Sequence, residues 1–456
     1  MPDSPQAHAA GRRPPFSPVI SLLTVASIWD GRLNGALKAL GLTTRKYGLL
    51  AHVQATPGIS FSELARRSQI TVQTAHTAVK ALAEALAAAG HEVTVFCPLA
   101  GPSDDAGVVA LPVARWFRPD GYPFAWSPRR VADRLRREFV DRRIEVVHTH
   151  SEMFAALGAI TAARSLGLPV VHTMHGRVDV YTAHALPLPA VTTALLGALH
   201  ARHVSRRGLR VEPGTPYTAT VSARRMWRLM LAQSRASAHV FVPSAHFARK
   251  LVAQGVTTPV SVSSNGLEPS VLAAIGEPAP RLLVPGETVT VVWVGRLSRE
   301  KRPAALVEAA LRLGSAVRVD VYGDGPERRA LERLGGPVTL HGAVPHAEVL
   351  AAMRRSHLLV SSSVDFDNQP MVMLEAMATG LPVLYCDPDL AEVVPPGGGF
   401  VTPTPDVDGI VDEVRRLVRE PDAVGAASAV MVAERDRAAQ HIDDALEVYA
   451  RVVARS

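Results

Sequence analysis

The sequence predicts an α/β protein with two parallel sheets, preceded by a short all-helical segment. Three observations carry that expectation. From residue 86 onward, short apolar runs alternate with amphipathic helical stretches, the pattern of strands buried between helix layers. From 19 to 85 the periodicity is helical throughout. The chain has 456 residues, 47% hydrophobic and 20% charged, which is enough for two or three cores and excludes disorder as the main state.

Residues 1–18, with Arg12, Arg13, Pro14 and Pro15, read as a disordered tail, because no apolar run with a cleavage site comes after the arginines. Residues 1–85 hold nine Lys and Arg against four Asp and Glu, so an anionic partner is expected for this part of the chain. Within the helical segment 19–85, Ser60 to Ser68 reads as a short helix. A turn at Gln69 and Ile70 leads to Thr71, placed to cap a second helix through Leu82. In that helix Val72, Ala75, Val79 and Leu82 form the inward stripe. Gln73, Thr74, His76, Thr77 and Lys80 fall on the other face, where such side chains suit base edges and phosphates. With Leu42-Thr43-Thr44-Arg45-Lys46-Tyr47 and Ile59-Ser60-Phe61-Ser62-Glu63-Leu64-Ala65, this stretch resembles the helix-turn-helix part of MarR-type winged-helix regulators. The resemblance implies that Thr71 to Leu82 is a recognition helix. The wing and the dimer helices of that family do not come after it.

Expected strands lie at Glu92 to Phe96, Ile144 to His148, Pro169 to His172, His239 to Val242, Val289 to Val294, Val317 to Tyr322, Val338 to Leu340 and Leu358 to Val360. The break in periodicity near Asn265-Gly266 divides the chain into 86–264 and 265–440, and 441–456 reads as a C-terminal helix. Pro395 to Gly399 reads as a loop. Cys97 and Cys386 are too far apart in sequence to suggest a metal site or a disulfide framework and are expected to be core thiols. No run reaches the roughly 18 apolar residues of a membrane span. A cytoplasmic protein is expected.

The chemistry concentrates at expected strand ends. Val291-Val292-Trp293-Val294 runs into Gly295-Arg296-Leu297-Ser298-Arg299-Glu300-Lys301. Two cations at the mouth of a parallel sheet suit a diphosphate, since Arg forks two oxygens and Lys neutralises charge. Gly323-Asp324-Gly325-Pro326 comes after the next strand as a turn. In Asp367-Asn368-Gln369-Pro370-Met371 to Glu375, Pro370 suits a helix start whose free N–H groups make an anion site. Glu375 lies one to two turns in, able to accept from ribose hydroxyls, and Asp367 precedes it by eight positions. His148, His150, His172 and His175 lie at the ends of two neighbouring strands.

In this order, the motifs over about 86–450 resemble the retaining, nucleotide-sugar-dependent glycosyltransferases of the GT-B fold, of the family 4, group 1 type. The resemblance implies two Rossmann-like doubly wound domains with a cleft between them: 86–264 on the acceptor side and 265–440 binding the nucleotide sugar. It implies a hexosyltransferase in which Gly295, Arg296, Lys301, Asn368, Gln369 and Pro370 hold the donor diphosphate. Asp367 and Glu375 would hold sugar and ribose. It places a histidine near the reacting sugar, for which His175 is favoured over His172. Asp367 stands where the family usually has Glu, and Asn368-Gln369-Pro370 replaces a glycine-rich variant. Neither a cofactor nor a metal is expected.

Such proteins begin with a strand and a glycine-bearing loop on the acceptor side. Here the regulator-like segment stands in that place, so the first strand of the acceptor-side domain is expected to be missing and transfer to be impaired. Between Thr182 and Arg235, arginines interleave with Leu, Met and Trp. This stretch reads either as a membrane-surface helix delivering a lipid acceptor, which would hold the protein at the inner face of a membrane, or as a helical insertion over the acceptor cleft. The alternative reading of the whole chain is a MarR-type DNA-binding regulator fused to a ligand-sensing or inert transferase domain. With no wing, it would bind DNA only weakly and nonspecifically.

Overall fold

The computed structural model describes residues 73–99, 107–113, 125, 127–150, 152–185 and 188–455. The chain divides into units 1–70 and 71–456. The tail and the first helix of the regulator-like segment lie outside the described residues, all of which belong to the second unit.

A helix at Gln73–Ala88 runs unbroken past Leu82, the end expected from its sequence. Among its described side chains Ala81 and Leu86 are buried, while Val79 and Leu82 are half-buried. Leu82 packs against the core around Val171 and Phe241. The side chains of residues 73–78 lie outside the described residues. Lys80 pairs with Glu84 at 3.5 Å and with Glu268.

Next come β1 (Val95–Pro98) and β2 (Val108–Leu111), a two-stranded parallel sheet. A separate sheet contains β3 (Val147–Thr149), β4 (Val170–Thr173), β5 (His239–Val242) and β6 (Val260–Val262), parallel and in that order. Among the described residues no strand joins β1 to β3, although Phe96, Leu111, Val147 and Val170 share one core. Helices Pro128–Asp141 and Phe154–Ser165 cover it. They touch at Gly158, where an added Cβ would lie 2.5 Å from Val131 Cγ1.

The second half holds β7 (Val289–Val294), β8 (Val317–Tyr322), β9 (Val338–Gly342), β10 (Leu358–Ser361), β11 (Val383–Tyr385) and β12 (Gly399–Val401). All are parallel, in the order β12-β11-β10-β7-β8-β9. The inner strands β7 and β10, covered on both faces, read as continuous apolar runs, Val291-Val292-Trp293 and Leu358-Leu359-Val360. From β7 the chain winds outward one way, and from β10 the other. The reversal opens a crevice beyond the carboxyl ends of β7 and β10, where open α/β sheets take their ligands. The last helix, Asp443–Val453, crosses back to the first half and buries Ala445, Val448 and Val452 against Val171 and Phe241.

Candidate active site

The Gly295 and Gly323 turns leave β7 and β8 side by side. Backbone N–H groups of Gly295 and Leu297 donate to the carbonyls of Tyr322 and Asp324, each at 3.0 Å, and Glu327 N–H donates to Leu297 O at 2.9 Å. Gly323 has φ +131°, and an added Cβ would sit 1.8 Å from Gly295 O; at Gly325 it would sit 2.5 Å from Leu297 O. Gly-Asp-Gly thus fixes the path of the neighbouring Gly-Arg-Leu turn. Gly323→Ala combines a backbone clash with a strained φ. It is expected to lower stability by about 2 to 4 kcal/mol, on the scale of such mechanisms, read as a thermal midpoint shifted down. An unchanged midpoint would remove this role.

That turn presents two cations. The Arg296 guanidinium pairs with Glu300, which also accepts from Ser298 Oγ at 2.7 Å. Burial would raise the Glu300 carboxyl, but Ser298 and Arg296 outweigh it and hold the carboxyl below the usual range. Lys301 Nζ donates to Asp367 Oδ1 at 2.6 Å, and Ser363 Oγ donates to Oδ2 at 2.6 Å. The first acid of the acid-x7-Glu pair and the motif lysine therefore meet directly. Ser362 supports them, accepting from Trp293 Nε1 at 3.0 Å and donating to Lys301 O at 2.7 Å.

Pro370 is the N-cap of the helix Met371–Ala378, one position earlier than expected. Glu375 Oε1 meets His346 Nε2 at 2.9 Å. The other loop residues turn toward the first half of the chain. Asn368 Nδ2 donates to His175 O at 3.2 Å. Gln369 Oε1 accepts from Asn265 N–H, and its Nε2 donates to Ser264 Oγ, both at 2.6 Å. Asn368 and Gln369 thus join the loop to the opposite wall of the cleft.

Both expected histidines lie on that wall. His172 is fully buried, its Nδ1 donating to Thr149 O at 3.1 Å; burial, reinforced by His175, lowers its pKa to about 3. His175 stacks on His150 with ring centroids 5.2 Å apart, its Nε2 lying 3.0 Å from His150 Nδ1. Burial lowers its pKa to about 4. Both are neutral near pH 7. Only His175 also touches the loop carrying Asp367, through Asn368.

Sequence reasoning missed the strongest bridge across the cleft. Arg177, 2% exposed, forks onto Asp179 at 2.8 and 2.7 Å and donates to Asp365 Oδ1 at 2.7 Å. Lys250 Nζ donates to the same Asp365 oxygen at 2.8 Å and to Asp389 at 3.1 Å. Asp365 takes φ +48°, held by its N–H bond to Asp387 at 2.6 Å. Burial raises its carboxyl, but Arg177 and Lys250 overcome this and keep it ionised.

A six-stranded doubly wound domain facing a second parallel sheet, with the Gly295-Arg296-Lys301 turn at the switch point, is the architecture of the GT-B fold. The chain belongs to the glycosyltransferases that join two such parts: residues 75–271 match Glycosyltransferase Family 4 and 288–420 match Glycosyl transferases group 1. Residues 40–85 match the MarR family. Similar proteins include the Arabidopsis thaliana sulfoquinovosyl transferase SQD2, 26% identical over 311 residues, 64% of this chain and 53% of that protein's length. The Acholeplasma laidlawii alpha-monoglucosyldiacylglycerol synthase is 22% identical over 68% of this chain and 75% of its own length. The Mycobacterium tuberculosis GDP-mannose-dependent alpha-mannosyltransferase is 26% identical over 79% and 85%. Among solved structures, a sucrose-phosphate synthase from Thermosynechococcus elongatus matches with TM-score 0.60 and 18% identity, over 83% of this chain and 93% of its own. Anabaena HepE in complex with UDP matches with TM-score 0.50 and 14% identity, over 71% and 82%.

Proposed function

We propose that the chain transfers a hexose, with retention, from a nucleoside diphosphate sugar to an acceptor. The observation that supports this reading is the Lys301–Asp367 pair at the β7/β10 crevice, with Arg296 on the same turn and Asn368 joining its loop to His175 O. Arg296 and Lys301 neutralise the diphosphate and stabilise charge developing on it as the glycosidic bond breaks. Lys301 has three N–H donors, so it can hold Asp367 and a phosphate oxygen together. Free N–H groups at the start of helix Met371–Ala378 add a second anion contact. Asp367 and Glu375 accept hydrogen bonds from sugar and ribose hydroxyls. His175, neutral and fixed against His150, meets the sugar from the other wall. UDP in the complex with HepE makes it the first ligand to try.

Lys301→Ala is expected to weaken UDP or GDP binding by about 1 to 3 kcal/mol, the scale of a charge-assisted hydrogen bond, measured by calorimetry on variants with an unchanged thermal midpoint. Equal affinity in the variant would refute the assignment. The MarR match over 40–85 supports a second reading as a DNA-binding regulator. Only weak, salt-sensitive, nonspecific binding is expected from it, and a footprint at a defined palindrome in about 150 mM salt would overturn that expectation.

A further inference from the structure

The helix Pro189–His200 packs Leu196 and Leu199 partly against the core, yet carries an apolar stripe on its solvent side. Its buried positions are Thr193, Gly197 and His200. Thr193 Oγ1 donates to Pro189 O at 2.5 Å, and His200 Nε2 lies 3.3 Å from Gln233 Oε1. Gly197 leaves room for Arg206, whose Nη1 would lie 2.7 Å from an added Cβ. Its exposed positions are Ala190, Val191, Ala194, Leu195 and Ala198, one face at helical spacing. Leu188 and Leu195, 74% and 60% exposed, head this face. The outer face of a soluble helix is normally polar.

Charge singles out the same region. Between Val180 and Leu267 the sequence has ten Lys and Arg and one acid, Glu212. Arg202, Arg207 and Arg210, in the loop after the helix, and Arg228 and Arg235, on the neighbouring helix Val221–Arg235, are exposed. Arg228 and Arg235 donate to carbonyls of that loop, at Arg206, Ser205 and Arg207. Arg225 donates to Ala190 O and clamps the two helices together.

We propose that this face docks on the surface of an anionic lipid bilayer. The Leu188, Val191 and Leu195 side chains enter the boundary between headgroups and acyl chains, and the arginines meet lipid phosphates. The helix, 12 residues long and thus about 18 Å, lies in the membrane plane. Charge decides against the other occupants. A second copy of this chain would bring arginines against arginines, and a nucleic acid would leave the apolar stripe without a partner. This inference stands apart from the donor assignment, because its readout is vesicle binding.

The test is cosedimentation of the full chain with phosphatidylcholine vesicles, with and without about 30% phosphatidylglycerol. Binding is expected only to the anionic vesicles, and release on raising salt from about 0.1 to 0.5 M. The double variant Val191→Asp/Leu195→Asp, altered only at exposed positions, is expected to bind at least about tenfold more weakly, with UDP affinity and thermal midpoint unchanged. Arg202→Glu and Arg207→Glu are each expected to weaken binding at least about fivefold. Equal binding to both vesicle types, or full binding by the double variant, would overturn the proposal. So would a dimer in sedimentation velocity that the double variant dissolves, since the stripe would then belong to a second copy.

Discussion

Replacing residues 1–80 with the strand, glycine loop and helix start of a related GT-B glycosyltransferase is expected to raise transfer by orders of magnitude while leaving nucleotide affinity unchanged. The reason lies in the acceptor half. β1–β2 and β3–β6 are separate sheets over one core, with no described strand between β1 and β3. The acceptor wall of such a domain is built at the carboxyl ends of its strands, and the regulator-like segment stands where its first strand and glycine loop are expected. Holding the acceptor in line supplies several kcal/mol of the barrier reduction, whereas the donor cluster around Lys301 and Asp367 needs none of it. The chimera should also be more soluble, since a filled sheet offers fewer open edges to other chains. Equal transfer rates and equal solubility for the chimera and the natural chain would show that the natural segment already completes the sheet.

Mild acid is expected to unfold the protein, with a thermal midpoint that falls steeply between pH 6.5 and 4.5. Burial lowers His148 and His172 to about 3, and His175 and His200 to about 4. Below pH 6.5 the unfolded chain takes up protons at these four sites while the folded chain does not, so stability falls as pH falls. Burial raises Glu152 to about 7. Between pH 7 and 4.5 this carboxyl holds a proton in the folded state that the unfolded chain has lost, which favours folding and offsets one histidine. Burial also holds His150 well below its ordinary value, so about four net protons remain, each contributing up to about 1.4 kcal/mol per pH unit. One to two pH units of this rival the whole stability of a typical domain. Circular dichroism melts at pH 7, 6 and 5 check it, and His200→Gln should move the acid midpoint lower. A midpoint independent of pH across this range would mean that the histidines titrate normally.

What could be read from sequence was what is local. β5, β7 and β8 begin and end where the apolar runs do, and Gly295, Arg296, Lys301, Asp367 and Glu375 stand out because each motif lies within a dozen residues. The short strands β6, β11 and β12, three residues each, carry too few side chains to show a period. β12 begins at Gly399, inside what reads as a proline-glycine loop. Lys80 fitted a polar outward face, and only the tertiary fold brings Glu268, 188 positions away, against it. The same separation hides the meeting of Arg177 with Asp365, since no local pattern records which loops face each other across a cleft.

That meeting has a consequence for the working cycle. One carboxylate, Asp365, draws in Arg177 and Lys250 from the opposite wall, and the Asn368 and Gln369 bonds close beside it. On the proposed function, a nucleotide sugar entering this cleft would pass these bonds. Opening the cleft would mean parting Asp365 from Arg177 and Lys250 together with the Asn368 and Gln369 bonds, and in many enzymes such opening, rather than bond breaking, sets the pace of turnover.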